Sequence, residues 1–237
     1  MRYRLKWICA LLVAGCSPAQ KPADTTRVAS AASDTVSDSA PSASRRVTIL
    51  FIGTSLTAGY GLEPEEAFPV LIGRTLDSLG VPNEVRNAGV SGETSAGALR
   101  RIDWPISATD IDIVWLETGA NDGLRGLDLD STRANIDAII TRIREKHPAV
   151  RVVLAQMEAP PNMGVKYTSG FHAMFPALAK KHGIRLAPFL LEGVAGDIDL
   201  NQGDGIHPNL QGEIIVAKNV YRALAPEIAA VRKAKGL

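Results

Sequence analysis

The chain is short of several things that would announce a function. Its 237 residues include only two cysteines and four histidines, and its formal net charge is +1. A near-neutral balance removes the electrostatic case for a nucleic-acid partner. Both cysteines, Cys9 and Cys16, fall in the first sixteen residues. No intramolecular disulfide is therefore expected to staple a fold downstream, and stability must rest on an apolar core. No His, Cys and carboxylate residues stand at metal-ligand spacing, so no metal is expected. No glycine-rich phosphate cradle follows the first strand candidate, which argues against a flavodoxin-type cofactor. No internal repeat is visible. What is present is ordinary for a globular protein, 46% hydrophobic and 22% charged residues, at a length that suits one α/β domain or two small ones.

A hydrophobic run long enough to span a bilayer is missing as well. Residues 1–6 carry Arg2, Arg4 and Lys6, and residues 7–15 are apolar. This basic n-region and short h-region read as a secretory signal rather than a mature transmembrane helix. The run ends Val13-Ala14-Gly15-Cys16, which resembles the bacterial lipobox. That resemblance implies cleavage after residue 15, diacylation of Cys16 and an exported, membrane-anchored lipoprotein facing the periplasm. Ser17 rather than aspartate after the cysteine favours the outer membrane in a Gram-negative host. The competing reading is an ordinary signal peptide with a chance cysteine. Residues 17–46 are rich in Ser, Ala, Thr, Asp and Pro, with almost no large apolar side chains. Such a segment buries too little surface to offset its ordering entropy. Residues 16–46 are thus expected to form a lipidated tether with a reach of roughly 30 Å, and residues 47–237 the folded domain.

From residue 47 the pattern alternates. Strand candidates at 47–52, 84–88, 111–117, 150–156 and 184–189 are separated by helical periodicity at 65–79, 95–106, 131–147, 171–182 and 210–235. Near-continuous apolar strands alternating with helices predict a parallel sheet covered on both faces. Ligands in such sheets bind beyond the carboxyl ends of the strands. In this chain those ends lead into Gly53-Thr54-Ser55, the run "NAGVSGETS" from residue 87, "TGANDGLRG" from 118, "MEAPPNMG" from 157 and "GDGIHPN" from 203. Each is rich in glycine or small polar residues, so the chemistry converges on one edge.

Serine-based ester hydrolysis needs a nucleophile, a base, a carboxylate to orient the base and donors for the oxyanion. Ser55 is the candidate nucleophile, although serine is also common in strand-to-helix turns. His207 is the candidate base. Of the other histidines, His147 and His182 end helical patterns, where positive charge is favourable, and His172 begins one. Asp204, three residues before His207, can hold the imidazole by its second nitrogen. Gly92 can present an unobstructed backbone N–H, and Asn121 an amide N–H. With the Ser55 N–H they would form a three-donor oxyanion hole.

The four blocks "GTSLTAGYGL", "NAGVSGETSAGALRRI", "ETGANDGLRG" and "DGIHPN" resemble the SGNH (GDSL) hydrolase superfamily. They are most similar to its bacterial thioesterase I, lysophospholipase L1 and arylesterase group. The resemblance implies a flavodoxin-like α/β/α sandwich with five parallel strands in the order 2-1-3-4-5. It also implies Ser55, Asp204 and His207 as the triad, Gly92 and Asn121 in the oxyanion hole, and no cofactor. Two features differ from α/β-hydrolases: the G-x-S-x-G elbow lacks its second glycine, and Asp204 and His207 share one turn. One feature departs from the SGNH pattern. Thr54 stands where the family usually has aspartate, and its hydroxyl is expected to cap the turn locally.

The expected activity is hydrolysis of small-molecule or lipid esters through an acyl-serine, by a monomeric domain. Leu124, Leu127, Met163 and Tyr167 are candidate acyl-pocket residues by position and by resemblance, or else ordinary loop residues packing locally. A carbohydrate O-deacetylase on the same scaffold and a non-catalytic lipid- or glycan-binding lipoprotein are the alternatives.

Overall fold

A computed structural model describes residues 45–237. The signal segment, Cys16 and nearly all of the proposed tether lie outside the described residues. The central sheet contains β1 (Val47–Gly53), β2 (Asn83–Gly89), β3 (Ile113–Leu116), β4 (Arg151–Gln156) and β5 (Arg185–Phe189). All neighbours pair in parallel, in the order β2-β1-β3-β4-β5. This is the order implied by the family resemblance. β1 and β3 are buried along their whole length, as strands covered on both faces must be.

The helices are α1 (Ser55–Ala58), α2 (Phe68–Ser78), α3 (Ser95–Arg101), α4 (Ala120–Leu124), α5 (Leu129–Lys146), α6 (Val165–His182) and α7 (Leu210–Lys235). α2 and α7 pack together on one side of the sheet, and α3, α5 and α6 form the layer on the other. Phe51, Phe68, Trp115, Phe171 and Phe175 are fully buried between these layers.

Several predicted boundaries move, each for a local reason. The helix expected at 65–79 is broken at Ala67, whose extended backbone (φ −61°, ψ 138°) separates a short turn, Pro64–Glu66, from α2. Pro69 then occupies the first turn of α2, where a missing N–H costs no helical bond. The helix expected at 95–106 ends at Arg101, and Pro105 opens a separate turn, Pro105–Ser107. α5 starts two residues early because the Asp128 carboxylate accepts the Ser131 N–H at 2.8 Å. α6 starts six residues early, at Val165. His172 is therefore not the start of a helix. It lies inside α6, with its Nδ1 2.7 Å from Glu158 Oε1.

Candidate active site

β1 ends at Gly53, and α1 begins two residues later with Ser55. The Ser55 N–H is the first of its helix and has no partner within it. His207 reaches Ser55 from the loop before α7, 152 residues away. Its Nε2 lies 2.8 Å from Ser55 Oγ, and its Nδ1 lies 2.6 Å from Asp204 Oδ2. The Asp204 side chain also accepts the N–H groups of Ile206 at 2.9 Å and His207 at 3.0 Å. The imidazole bond and these two N–H groups push the Asp204 carboxyl down to about 2. A hydroxyl, an imidazole and an ionised carboxylate in one hydrogen-bonded line can take the hydroxyl proton and hold it.

Gly92 and Asn121 lie on two loops that hydrogen bonds join. Gly92 has φ +76°, in the left-handed region that favours glycine, and its carbonyl accepts the Arg125 guanidinium at 3.1 Å. Asn121 Nδ2 donates to the Glu93 carbonyl at 3.0 Å. That bond uses one of its two amide hydrogens and fixes the side chain against the loop carrying Gly92. Asp122 locks the two loops together from below. It is buried, and it accepts the Ser95 N–H at 2.8 Å, the Ser95 hydroxyl at 2.6 Å and the Thr132 hydroxyl at 3.2 Å. In the sequence the Asn-Asp-Gly run looks like a turn. The network depends on Ser95 and Thr132, which only the fold brings to it.

Thr54 does not behave as expected. Its side chain makes no cap bond to α1. Its hydroxyl donates instead to Glu117 Oε1 and Oε2 at 2.9 and 3.0 Å, and its backbone N–H donates to Oε2 at 2.7 Å. The Thr57 hydroxyl adds a third donor at 2.9 Å. Glu117 is wholly buried at the end of β3; burial raises its pKa, and the hydrogen bonds from Thr54 and Thr57 oppose that rise. A nearby buried carboxylate with three donors outcompetes a local cap, because leaving it unsatisfied would cost more. Gly53 makes room for this cluster: a Cβ there would lie 2.7 Å from Glu117 Oε2 and 1.9 Å from Thr57 Oγ1. The signal available in sequence was a glutamate closing an otherwise apolar strand.

A cleft of about 570 Å³ opens next to Ser55, lined by Leu56, Leu124, Met157, Ala159, Met163, Phe189, Leu191 and Ile206 among others. Leu124 and Met163 are among its lining residues. Leu127 and Tyr167 are not. The Tyr167 hydroxyl donates to the carbonyls of Leu127 at 2.8 Å and Asp122 at 3.3 Å, and its ring stacks on Phe171. Tyr167 therefore braces the loop after α4 instead of facing the cleft, and the Leu127 carbonyl is what it holds.

Comparison with known proteins identifies the family. Residues 51–213 match the GDSL-like Lipase/Acylhydrolase family. The chain is 34% identical over 179 residues to the Esterase TesA of Pseudomonas aeruginosa, covering 76% of this chain and 88% of the relative. It is 33% identical over 179 residues to the Thioesterase 1/protease 1/lysophospholipase L1 of Escherichia coli K12, covering 76% and 84%. The crystal structure of TesA superposes with a TM-score of 0.72 at 34% identity, over 76% of this chain and 99% of that one. The chain belongs to the GDSL-like lipase/acylhydrolase family, the SGNH hydrolases, which are hydrolases of carboxylic esters.

Proposed function

We propose that this protein is a broad-range serine esterase in which Ser55 is the nucleophile, His207 the general base and Asp204 the group that orients it. The observation that carries the reading is the unbroken line from Ser55 Oγ through both nitrogens of His207 to Asp204. In the first step His207 takes the Ser55 proton as Oγ attacks the ester carbonyl carbon. Charge moves onto the carbonyl oxygen, facing the N–H groups of Ser55 and Gly92 and the Asn121 amide. Collapse expels the alcohol, phenol or thiol, which receives the proton from His207. Water then attacks the acyl-serine with His207 again as base, releasing the acid and restoring Oγ–H. Protonated His207 cannot accept the serine proton, so activity falls on acidification.

Esters of lipids, aryl alcohols and thiols are the proposed substrates. The support is twofold: the relatives carry the names esterase, arylesterase and thioesterase/lysophospholipase, and the mostly apolar cleft of about 570 Å³ far exceeds an acetyl group. The cleft therefore favours lipid-type esters over carbohydrate O-deacetylation. The line of Ser55, His207 and Asp204 comes from a single chain, which supports a monomeric enzyme. Export and lipid anchoring at Cys16 complete the proposal, supported by the basic n-region, the apolar run and Val13-Ala14-Gly15-Cys16.

The test is hydrolysis of p-nitrophenyl acetate, butyrate and octanoate by the protein and by Ser55→Ala. Turnover of the longer esters that vanishes in Ser55→Ala is expected. A folded protein inert to all three sinks the esterase reading; undiminished turnover in Ser55→Ala sinks the site. Turnover of acetate alone points to a deacetylase.

A further inference from the structure

Tyr60 sits two residues beyond α1 and lies against the imidazole of His207. The ring centroids are 4.6 Å apart and the planes are inclined by 41°. The tyrosine hydroxyl does not hold it there: among the described residues that hydroxyl has no hydrogen-bond partner, and the residue is 51% exposed. The backbone holds it on both sides. The Tyr60 N–H donates to the Ser55 carbonyl at 3.0 Å. The Tyr60 carbonyl accepts Gln202 Nε2 at 2.6 Å, and the same amide donates to the Pro208 carbonyl at 2.9 Å. The Gln202 N–H in turn donates to the His207 carbonyl at 2.7 Å. One glutamine thus clamps the loop bearing His207 to the loop that follows Ser55.

The backbone thus sets the half-exposed ring against the imidazole, and the chemistry of that contact changes when His207 is protonated. An aromatic face within about 6 Å attracts a cation through the ring quadrupole. In the active form, where His207 acts as base, the imidazole becomes a cation on taking the Ser55 proton, so the attraction is stronger in the transition state than in the enzyme about to react. An interaction of that kind raises kcat rather than lowering KM. We propose that Tyr60 is a positioning residue that stabilises the His207 imidazolium during acyl transfer through its aromatic face. This rests on the reading of Ser55 and His207 as the reacting pair.

The experiment compares Tyr60→Phe, Tyr60→Leu and Ser55→Ala in the full-length protein. The substrate is ethyl butyrate, whose leaving group has no ring to stack on residue 60. Tyr60→Leu is expected to lower kcat about three- to tenfold with KM within about twofold, while Tyr60→Phe stays near the native kcat. Native kcat in Tyr60→Leu overturns the proposal. So does a loss in Tyr60→Phe equal to that in Tyr60→Leu, which would assign the effect to the hydroxyl. A loss confined to KM overturns it too, making Tyr60 a substrate contact. Turnover that persists in Ser55→Ala instead refutes the underlying reading of the site.

Discussion

At the edge where the strands begin, charges are tied to opposite charges. Arg86 binds Glu84 and Asp110, Lys235 meets Asp112, and Arg151 and Arg185 converge on Glu227. Arg46 also bridges to Glu84, and several of these side chains are substantially exposed, Arg46 at 47% and Arg151 at 45%. At the opposite edge three buried carboxylates bind only neutral donors. Glu117 takes Thr54 and Thr57, Asp122 takes Ser95 and Thr132, and Glu213 takes the Phe68 N–H at 3.0 Å. The exposed members of these pairs contribute little, whereas a buried carboxylate accepts hydrogen bonds in fixed directions and is costly to disturb. The exposed positions of one edge, such as Arg46, therefore tolerate change, and the other edge fixes the loops that present Ser55, Gly92 and Asn121.

The contrast can be broken at its strict end first. Asn121→Ala removes an oxyanion donor and the bond to the Glu93 carbonyl, and should lower kcat by about 10²–10³-fold. Steady-state kinetics on p-nitrophenyl butyrate measures it, and a fall of less than about fivefold would remove Asn121 from the oxyanion hole. Next comes Glu117. Glu117→Ala leaves Thr54 and Thr57 donors without an acceptor and should cost about 1–3 kcal/mol of stability, with a fall in kcat as the Ser55 turn loosens. Glu117→Gln keeps an acceptor in place and should lose much less in both. Urea unfolding of the two variants reads the difference, and equal losses would mean that the charge, not the hydrogen bonding, holds the turn.

Glu213 sharpens the comparison through pH. Burial pushes its carboxyl up to about 8 against the lowering effect of the Phe68 N–H. The folded value stands above the ordinary 4.5, so the folded state binds this proton more tightly than the unfolded chain does. That contribution to stability is full below about pH 4.5 and is lost as the pH rises through about 8. Glu213→Gln keeps an acceptor for Phe68 and removes the loss. It should be more stable than the native protein by about 1–4 kcal/mol at pH 9 and no more stable at pH 4.5; thermal melts at the two values check this. The smallest effect belongs to the ionic edge. Arg46→Ala removes the bridge to Glu84 and should change stability by less than about 1 kcal/mol, with kcat unaltered.

Much of the fold was legible because its cause is local. An apolar run closed by glycine marked β1, apolar runs marked β3 and β4, and the alternation with helical segments placed β2 and β5; the rim motifs followed from where those strands end. Helix boundaries were less legible where proline or a cap decided them, as at Ala67 and Arg101, or where the apolar period was weak, as over the first six residues of α6. Ser55, Asp204 and His207 could be proposed because each sits in a short motif of the right chemistry. The supporting residues could not: Thr54 and Glu117 are 63 positions apart, Ser95 and Asp122 are 27 apart, and Tyr60 and Gln202 are 142 apart.

The sequence by itself determined the alternation of strand and helix, the edge on which the chemistry lies and the residue types gathered there. These depend on periodicity and turn chemistry, which act over a few neighbouring residues. Only the tertiary structure decided which partner each buried polar group takes. Thr54 gives its hydroxyl to Glu117 rather than to its own helix, Tyr167 braces a loop rather than lining the cleft, and Tyr60 lies against His207. A hydrogen bond or a ring contact depends on distance in space, and only the packed sheet brings these residues within reach of one another.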